Sequence, residues 1–455
     1  MSAGRLRRGA GAVGLALAGG GAVGLVAGAG APALLALGAG ALLAQGLMLD
    51  FSPLKIPVVM FHSVAADRPD RPEPFGIWCP PWCFEGYLDY LARRGYTTIG
   101  LDDLHAHLAR GAALPRKPIV LTFDDGYLDN WVYAAPLLRR YGMRGVVFMP
   151  SDFVQPGAAP RPTIDDVEAG RTTEDRLEVF GYLNEAELRA LSSEGVLDVQ
   201  SHGRTHTWLP VSEKVIDFHR PDLPMRHLRW MWWNRHVERK PFWFHEIAPD
   251  GVPWGAPVYE NRLALSAPAV EPDPGLEQAL VAHVEARGGR AFFDEPDWRG
   301  QLERTAEAYR RAHPPAARPE SPERFRARLR DELAGSRERL EAITGRPVRF
   351  MCWPNGGTCR EAFELLAECG YLAATLPRRS RQLRNHRGTP PDRIGRVSAT
   401  SYFRGNQSRA LWVASFALKI ERNRGNLWAE IPIKAIWLWR RFVPAGGPRP
   451  HGAEP

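Results

Sequence analysis

A chain of 455 residues that is 44% hydrophobic has ample material for a packed core and exceeds one ordinary domain, although α/β barrels with insertions reach this size. Its 59 Lys and Arg against 51 Asp and Glu leave a formal charge of +8 spread along the chain, which argues against nucleic acid as a partner and speaks rather for anionic lipid. Five cysteines, of which only Cys79 and Cys83 are close in sequence, offer no zinc-type Cys pairing and imply no disulfide framework.

In chain order, Arg5, Arg7 and Arg8 precede an uncharged run from Gly9 to Leu49. The run is long enough for one generous or two short membrane helices of roughly 20 residues each. G-A-G-A-P at Gly28 to Pro32 reads as a hairpin turn or as the small-residue end of a cleaved signal. Basic residues ahead of the run place the N-terminus inside. A single span or a cleaved signal then exports the rest, a hairpin would hold it in the cytoplasm, and export is the expectation.

Strands and helices then alternate. Ile56–Val64 reads as a strand, Phe84–Tyr96 as a helix, the stretch before Asp124 as a strand, Ala134–Tyr141 as a helix and Gly145–Pro150 as a strand. Leu183–Gly195 reads as a helix and Val196–Ser201 as a strand. Short alternation of this kind means parallel βα units, with chemistry at the C-terminal ends of the strands. The order breaks at about Ser212 and resumes at about Pro322. Between them R-W-M-W-W-N-R, K-P-F-W-F-H and V-P-W-G-A-P-V-Y are dense in Trp, Pro and His, fit to cover a sugar-binding groove or to form a small core of their own. A helix Pro322–Thr344, a strand Val348–Gly357, a helix Arg360–Gly370, a strand Tyr371–Leu376 and Asp392–Ser398 complete the series. Residues 409–455 carry Trp, Ile and Leu interleaved with Lys and Arg, as expected either of helices in a membrane interface or of an amphipathic helix packed on the barrel. The organisation expected is a signal or transmembrane segment over 1–50, an α/β unit over 51–408 with an insertion at about 212–321, and this C-terminal segment.

Adjacent Asp pairs occur at Asp102-Asp103, Asp124-Asp125 and Asp165-Asp166, but only Asp124-Asp125 follows an apolar strand and precedes a glycine. A Gly turn there lets both carboxylates approach one cavity, where they repel unless a cation takes one of them. S-H-G-R-T-H supplies further ligands, because His202 and His206 follow a strand and aim to one side. One Asp and two His leave open positions for water and substrate, as in a catalytic metal site, and the other Asp is then free to take a proton. Spacing alone does not say which Asp does which. D-D-L-H-A-H-L at Asp102 to Leu108 reads as the start of an ordinary helix. Cys79 and Cys83 read as a disulfide if exported or as buried thiols.

T-F-D-D-G at Thr122–Gly126 and S-H-G-R-T-H at Ser201–His206 resemble the first two motifs of the polysaccharide deacetylases, the chitooligosaccharide-deacetylase-like carbohydrate esterases. The resemblance spans about Ile56 to Ser398 and implies a distorted (β/α)7 barrel, here carrying the long aromatic-rich insertion and the hydrophobic N-terminal segment. It implies that Asp124 is the base and that Asp125, His202 and His206 hold a divalent metal, zinc foremost. M-F-H-S-V around His62 is similar to the Y-H-x-V opening of exported members. The third motif departs from the family's R-x-P-Y-G: here it is C-W-P-N-G, with Cys352 at the Arg position and Asn355 at the Tyr. The backbone N–H of Asn355 is expected to donate to an oxyanion, and the partner of Asp124 is sought at Arg396 or Arg393. The family's late L-x-H acid has no counterpart, because His386 and His451 stand in other contexts. His245 in F-W-F-H-E, or Asp124 itself, is the candidate to protonate the leaving amine.

The function expected is metal-dependent removal of N-acetyl groups from an amino-sugar polysaccharide or lipid-linked glycan, at a membrane and on its exported side. The alternatives are a deformylase on a lipid-linked sugar and a catalytically weak, glycan-binding barrel that assists export.

Overall fold

The computed structural model describes residues 55–65, 78–247, 251–376, 384–399 and 408–442. The run Gly9–Leu49 lies outside them. In chain order the strands are β1 (Val58–Phe61), β2 (Thr97–Thr98), β3 (Pro118–Phe123), β4 (Gly145–Met149), β5 (Leu197–Ser201), β6 (Trp208–Phe218), β7 (Pro257–Leu263), β8 (Val270–Glu271), β9 (Arg318–Pro319), β10 (Phe350–Met351), β11 (Ala373–Thr375), β12 (Arg393–Ile394) and β13 (Val397–Ser398).

The main sheet runs β12-β11-β10-β5-β4-β3-β1-β13, every pair in it parallel, with β2 beside β3. Its two edge strands, β12 and β13, are separated in sequence only by Gly395 and Arg396. They are therefore halves of one kinked strand that pairs with β11 on one side and β1 on the other. Counting that pair once, β1, β3, β4, β5, β10, β11 and β12–β13 make seven staves of a sheet that curls round to meet itself. This is a distorted (β/α)7 barrel. Parallel strands need covered faces on both sides, which accounts for the uninterrupted apolar reading of β3 and β4, buried at every position.

Local chemistry sets the helices. Asn184 caps the helix Glu185–Glu194 by accepting from the Glu187 N–H, and Gly195 ends it at φ 70°. The helix Pro81–Arg93 buries Phe84, which meets Phe61 and Phe123 edge-on at 5.2 and 5.8 Å. Phe84→Ala is expected to cost about 3–5 kcal/mol, read as a lowered midpoint in chemical unfolding. Asp102–Leu108 lies in the helix Leu101–Arg110, where Asp103 accepts from the Gly100 N–H at its start.

The insertion begins earlier than its composition suggests, at β6, which pairs antiparallel with β7 across an intervening helical segment. It holds a small core of its own around Phe218, Leu280 and Phe292. The tryptophans of R-W-M-W-W-N-R are not a platform for sugars. Trp230, Trp232 and Trp233 are all buried, and Trp233 packs edge-on against Trp243 at 5.4 Å. Four large indoles close in sequence bury more favourably against one another than against water. In the C-terminal segment, the helix Arg409–Arg424 packs on the helix Pro81–Arg93, with Phe416 stacked on Tyr87 at 4.1 Å. The following helix, Glu430–Phe442, leaves Ile431 66% exposed. Among the described residues no helix is long and apolar enough to cross a membrane. Cys79 and Cys83 are buried free thiols.

Candidate active site

The two carboxylates reach one cavity through an abrupt change of backbone. The Asp124 N–H still donates to the Phe61 carbonyl at 3.0 Å, continuing the ladder between β3 and β1. Asp125 then turns into the left-handed region at φ 71° and Gly126 follows at 64°. A Cβ on Gly126 would lie 1.9 Å from Met149 Sδ, so the D-D-G glycine is required by space as well as by φ. Among the described residues four non-glycines have positive φ, and three of them, Asp125, His206 and Asn355, stand in the three motifs. Such conformations cost of order 1–3 kcal/mol each and persist where surrounding structure dictates them.

Asp125 Oδ1 lies 3.1 Å from His202 Nε2 and 3.2 Å from His206 Nε2. Two donors each about 2.0–2.1 Å from a tetrahedral centre lie about 3.4 Å apart, so the spacing suits one zinc-sized ion. Both histidines are buried. His202 Nδ1 is 2.8 Å from the Cys352 carbonyl, which can only accept, so Nδ1 carries the proton and Nε2 offers its lone pair to the cluster. Burial pushes the Asp125 carboxyl up, but hydrogen bonds from His202 and His206 bring it well below the usual range. Burial lowers His206, which the Asp125 carboxylate does not fully offset, whereas His202 is raised against its own burial by Cys352 and by its hydrogen bond to Asp125. A half-buried carboxylate and two buried imidazoles, convergent, fit a divalent ion. His206→Ala is expected to weaken zinc binding by more than about 100-fold, checked by titration against a chelating dye.

Asp124 stands apart from this set. Arg396, at the kink between β12 and β13, donates through Nη1 to Oδ1 at 2.6 Å and through Nη2 to Oδ2 at 2.9 Å. Burial raises Asp124, while Arg396 first, then His62 and His202, pull it below the ordinary carboxylate range. The carboxylate in return raises the Arg396 guanidinium against the lowering effect of its own burial. Arg396 Nη2 also donates to Cys352 Sγ at 3.0 Å. The thiol at the third motif's Arg position thus leaves room for a guanidinium delivered from the closing strand. Asp124, His202 and Cys352 also cluster closely enough to suggest a second cation site, but the two-pronged Arg396 engages both Asp124 oxygens and opposes another positive charge.

His62, at the end of β1, places Nε2 3.9 Å from Asp124 Oδ2 with its side chain 21% exposed. Its carbonyl accepts from Asn130 Nδ2 at 2.9 Å, and Asn130 Nδ2 also donates to Asp129 at 2.7 Å. Asp129 takes the Val64 N–H at 3.0 Å and the Ser63 hydroxyl. This buried network holds the His62 loop against the D-D-G turn. His245 is placed elsewhere: its Nε2 faces Glu178 at 3.7 Å and its side chain is 46% exposed. Asn355 has an exposed side chain and φ 48° in the Pro354–Gly356 turn.

A narrow cleft of about 20 Å³ opens on Asp125 and His206, walled by Tyr127, Pro150, Phe153 and Tyr182 from the barrel and by Arg229 and Trp233 from the insertion. The Arg229 guanidinium lies over the Trp208 ring at 4.7 Å and the Trp233 ring at 5.4 Å.

Residues 111–221, which hold Asp124, Asp125, His202 and His206, match the polysaccharide deacetylase family profile. The resemblance to the polysaccharide deacetylases holds over this segment. The chain is also 33% identical over 97 residues to YxkH of Bacillus subtilis (strain 168), named for the same family; the match covers 21% of this chain and 32% of that one. It thus spans about a third of this curated relative. Among solved structures, a de-N-acetylase from Aggregatibacter actinomycetemcomitans aligns over 79% of this chain and 99% of its own, at 16% identity and TM-score 0.45. The BpsB deacetylase domain from Bordetella bronchiseptica aligns over 76% and 96%, at 18% identity and TM-score 0.44. IcaB from Ammonifex degensii aligns over 79% and 97%, at 16% identity and TM-score 0.41. These structural likenesses are too remote to speak to activity.

Proposed function

We propose that this chain hydrolyses N-acetyl groups on the amino sugars of a polysaccharide or lipid-linked glycan, with a divalent ion, zinc foremost, held by Asp125, His202 and His206. The observation that carries the reading is the separation of roles between adjacent carboxylates. Asp125 is turned to two imidazoles, while Asp124 is paired with Arg396 and kept ionised beside them. A divalent ion bound there supplies Lewis acidity, which polarises the amide carbonyl and acidifies water.

The chain's own residues do the rest. Asp124 takes the proton of the attacking water, and Arg396 holds it ionised and oriented for that step. A backbone N–H at Asn355 donates to the developing oxyanion. His62 hands a proton to the leaving amine, a role for which its distance from Asp124 and its partial exposure favour it over His245. The narrow cleft beside Asp125 and His206, lined by Tyr127, Phe153 and Trp233, accepts the acetyl methyl. The Arg-led apolar run at the N-terminus and the basic, aromatic C-terminal segment support a place at a membrane, on its exported side.

The test is acetate release from a panel of N-acetylated glycans, polymeric and lipid-linked, with N-formyl analogues alongside. Acetate and free amine in equal amounts support the reading; formate alone would favour a deformylase, and tight binding without release would favour a glycan-binding barrel. His62→Gln is expected to lower kcat by about 10²-fold or more. His245→Gln is expected to leave kcat unchanged.

A further inference from the structure

The loop between the two histidine ligands, Gly203 to Thr205, is held by backbone bonds from the Ser151 and Asp152 N–H groups to the Gly203 and Arg204 carbonyls and, beside these, by side chains from far along the chain. Glu332 Oε2 accepts from the Arg204 and Thr205 N–H groups at 3.0 Å each, and its Oε1 accepts from the Thr205 hydroxyl. Ser336 Oγ donates to the Gly203 carbonyl at 2.9 Å. From the opposite side, Lys240 Nζ of the insertion donates to the Thr205 carbonyl at 3.0 Å and lies 3.6 Å from Asp152. Glu332 is 2% exposed and Lys240 1% exposed.

Local structure explains how Glu332 arrives there. The rod from Pro322 to Thr344 is interrupted at Asp331–Gly335 by a π-bulge, which adds a residue to one turn and redirects its side chains. His206, immediately after the clamped loop, sits at φ 45°, a conformation disfavoured for a residue with a Cβ. A buried carboxylate bonded to consecutive N–H groups is a strong, directional restraint, able to hold such a turn ready-made.

We propose that Glu332 is a positioning residue for the metal site: it pre-forms the Gly203–Thr205 loop so that His202 and His206 converge on Asp125, with Lys240 tying the same loop to the insertion. This rests on the reading of Asp125, His202 and His206 as metal ligands. Glu332 touches neither substrate nor ion, and its effect is on how tightly the ion is held.

The experiment is zinc and cobalt affinity of the full chain by chelator competition, with the cobalt absorption spectrum recorded at saturation. Glu332→Met removes the acceptors and is expected to weaken binding about 10–100-fold, the range found when groups supporting metal ligands are lost, while excess zinc restores acetate release. Glu332→Gln keeps an oxygen able to accept both N–H groups and is expected to stay within a few-fold of wild type. Burial alone would rank these two variants in the opposite order. Thr205→Val, which removes one hydroxyl only, is expected to lose several-fold and serves if Glu332→Met does not fold. Glu338→Gln, at an exposed position further along the same rod, is expected to change nothing. Wild-type affinity and spectrum in both Glu332→Met and Thr205→Val, or in Thr205→Val where Glu332→Met does not fold, would overturn the proposal and leave the enzyme reading intact. A wild-type chain that binds no divalent ion would overturn both.

Discussion

Asp124→Asn is expected to lower acetate release by about 10²–10⁴-fold with zinc still bound at full stoichiometry. The amide keeps the shape and can still accept from Arg396, but it cannot take a proton. Asp125, one residue on, is the contrast: Asp125→Asn removes a ligand that both imidazoles face, so zinc and activity are lost together. Zinc content and turnover measured on the two variants separate base from ligand. Full activity in Asp124→Asn would show that the proton goes elsewhere.

Arg396→Met is expected to lower kcat/KM at neutral pH by roughly 10²-fold and to move the acid limb of its pH profile upward. The sign follows from the forces on Asp124. Burial raises its pKa, and Arg396 is the foremost of the groups that lower it. In the native protein Asp124 is ionised down to a pH below the ordinary Asp value of about 3.9, and the activity expected of it is lost only as pH falls through that depressed value. Without the guanidinium, burial prevails and the same loss sets in at higher pH. Arg396→Lys keeps a charge but not the fork, so an intermediate profile is expected. Leaving a buried carboxylate unpaired also costs about 3–5 kcal/mol, which thermal unfolding would show. An acid limb unmoved in Arg396→Met would mean that Arg396 does not govern the base.

What was legible in the sequence is what lies within a few residues of itself. A strand ending in D-D-G and an S-H-G-R-T-H turn each carry their geometry in local spacing, and both halves of the Asp125, His202 and His206 cluster follow from them. The alternation of strands and helices was equally local, down to the rod Pro322–Thr344. Arg396 could be narrowed only to a pair of arginines, because its meeting with Asp124 depends on where the barrel closes, 272 residues later in the chain. His62 was visible as part of an opening motif, but its nearness to Asp124 depends on β1 lying beside β3. Glu332 had no signal at all: one glutamate in a charged helix, distinguished only by a π-bulge that spacing does not reveal. The aromatic insertion left two readings open, since a run of tryptophans reads alike whether it faces sugar or packs on itself.

The most direct measurement is acetate and free amine released from an N-acetylated amino-sugar glycan by purified protein, before chelation, after chelation, and after zinc is returned. The account predicts equal amounts of both products, abolition by the chelator, recovery at one zinc per chain, and no recovery in Asp124→Asn. Release that survives complete removal of divalent metal, or that is unchanged in Asp124→Asn, would contradict it.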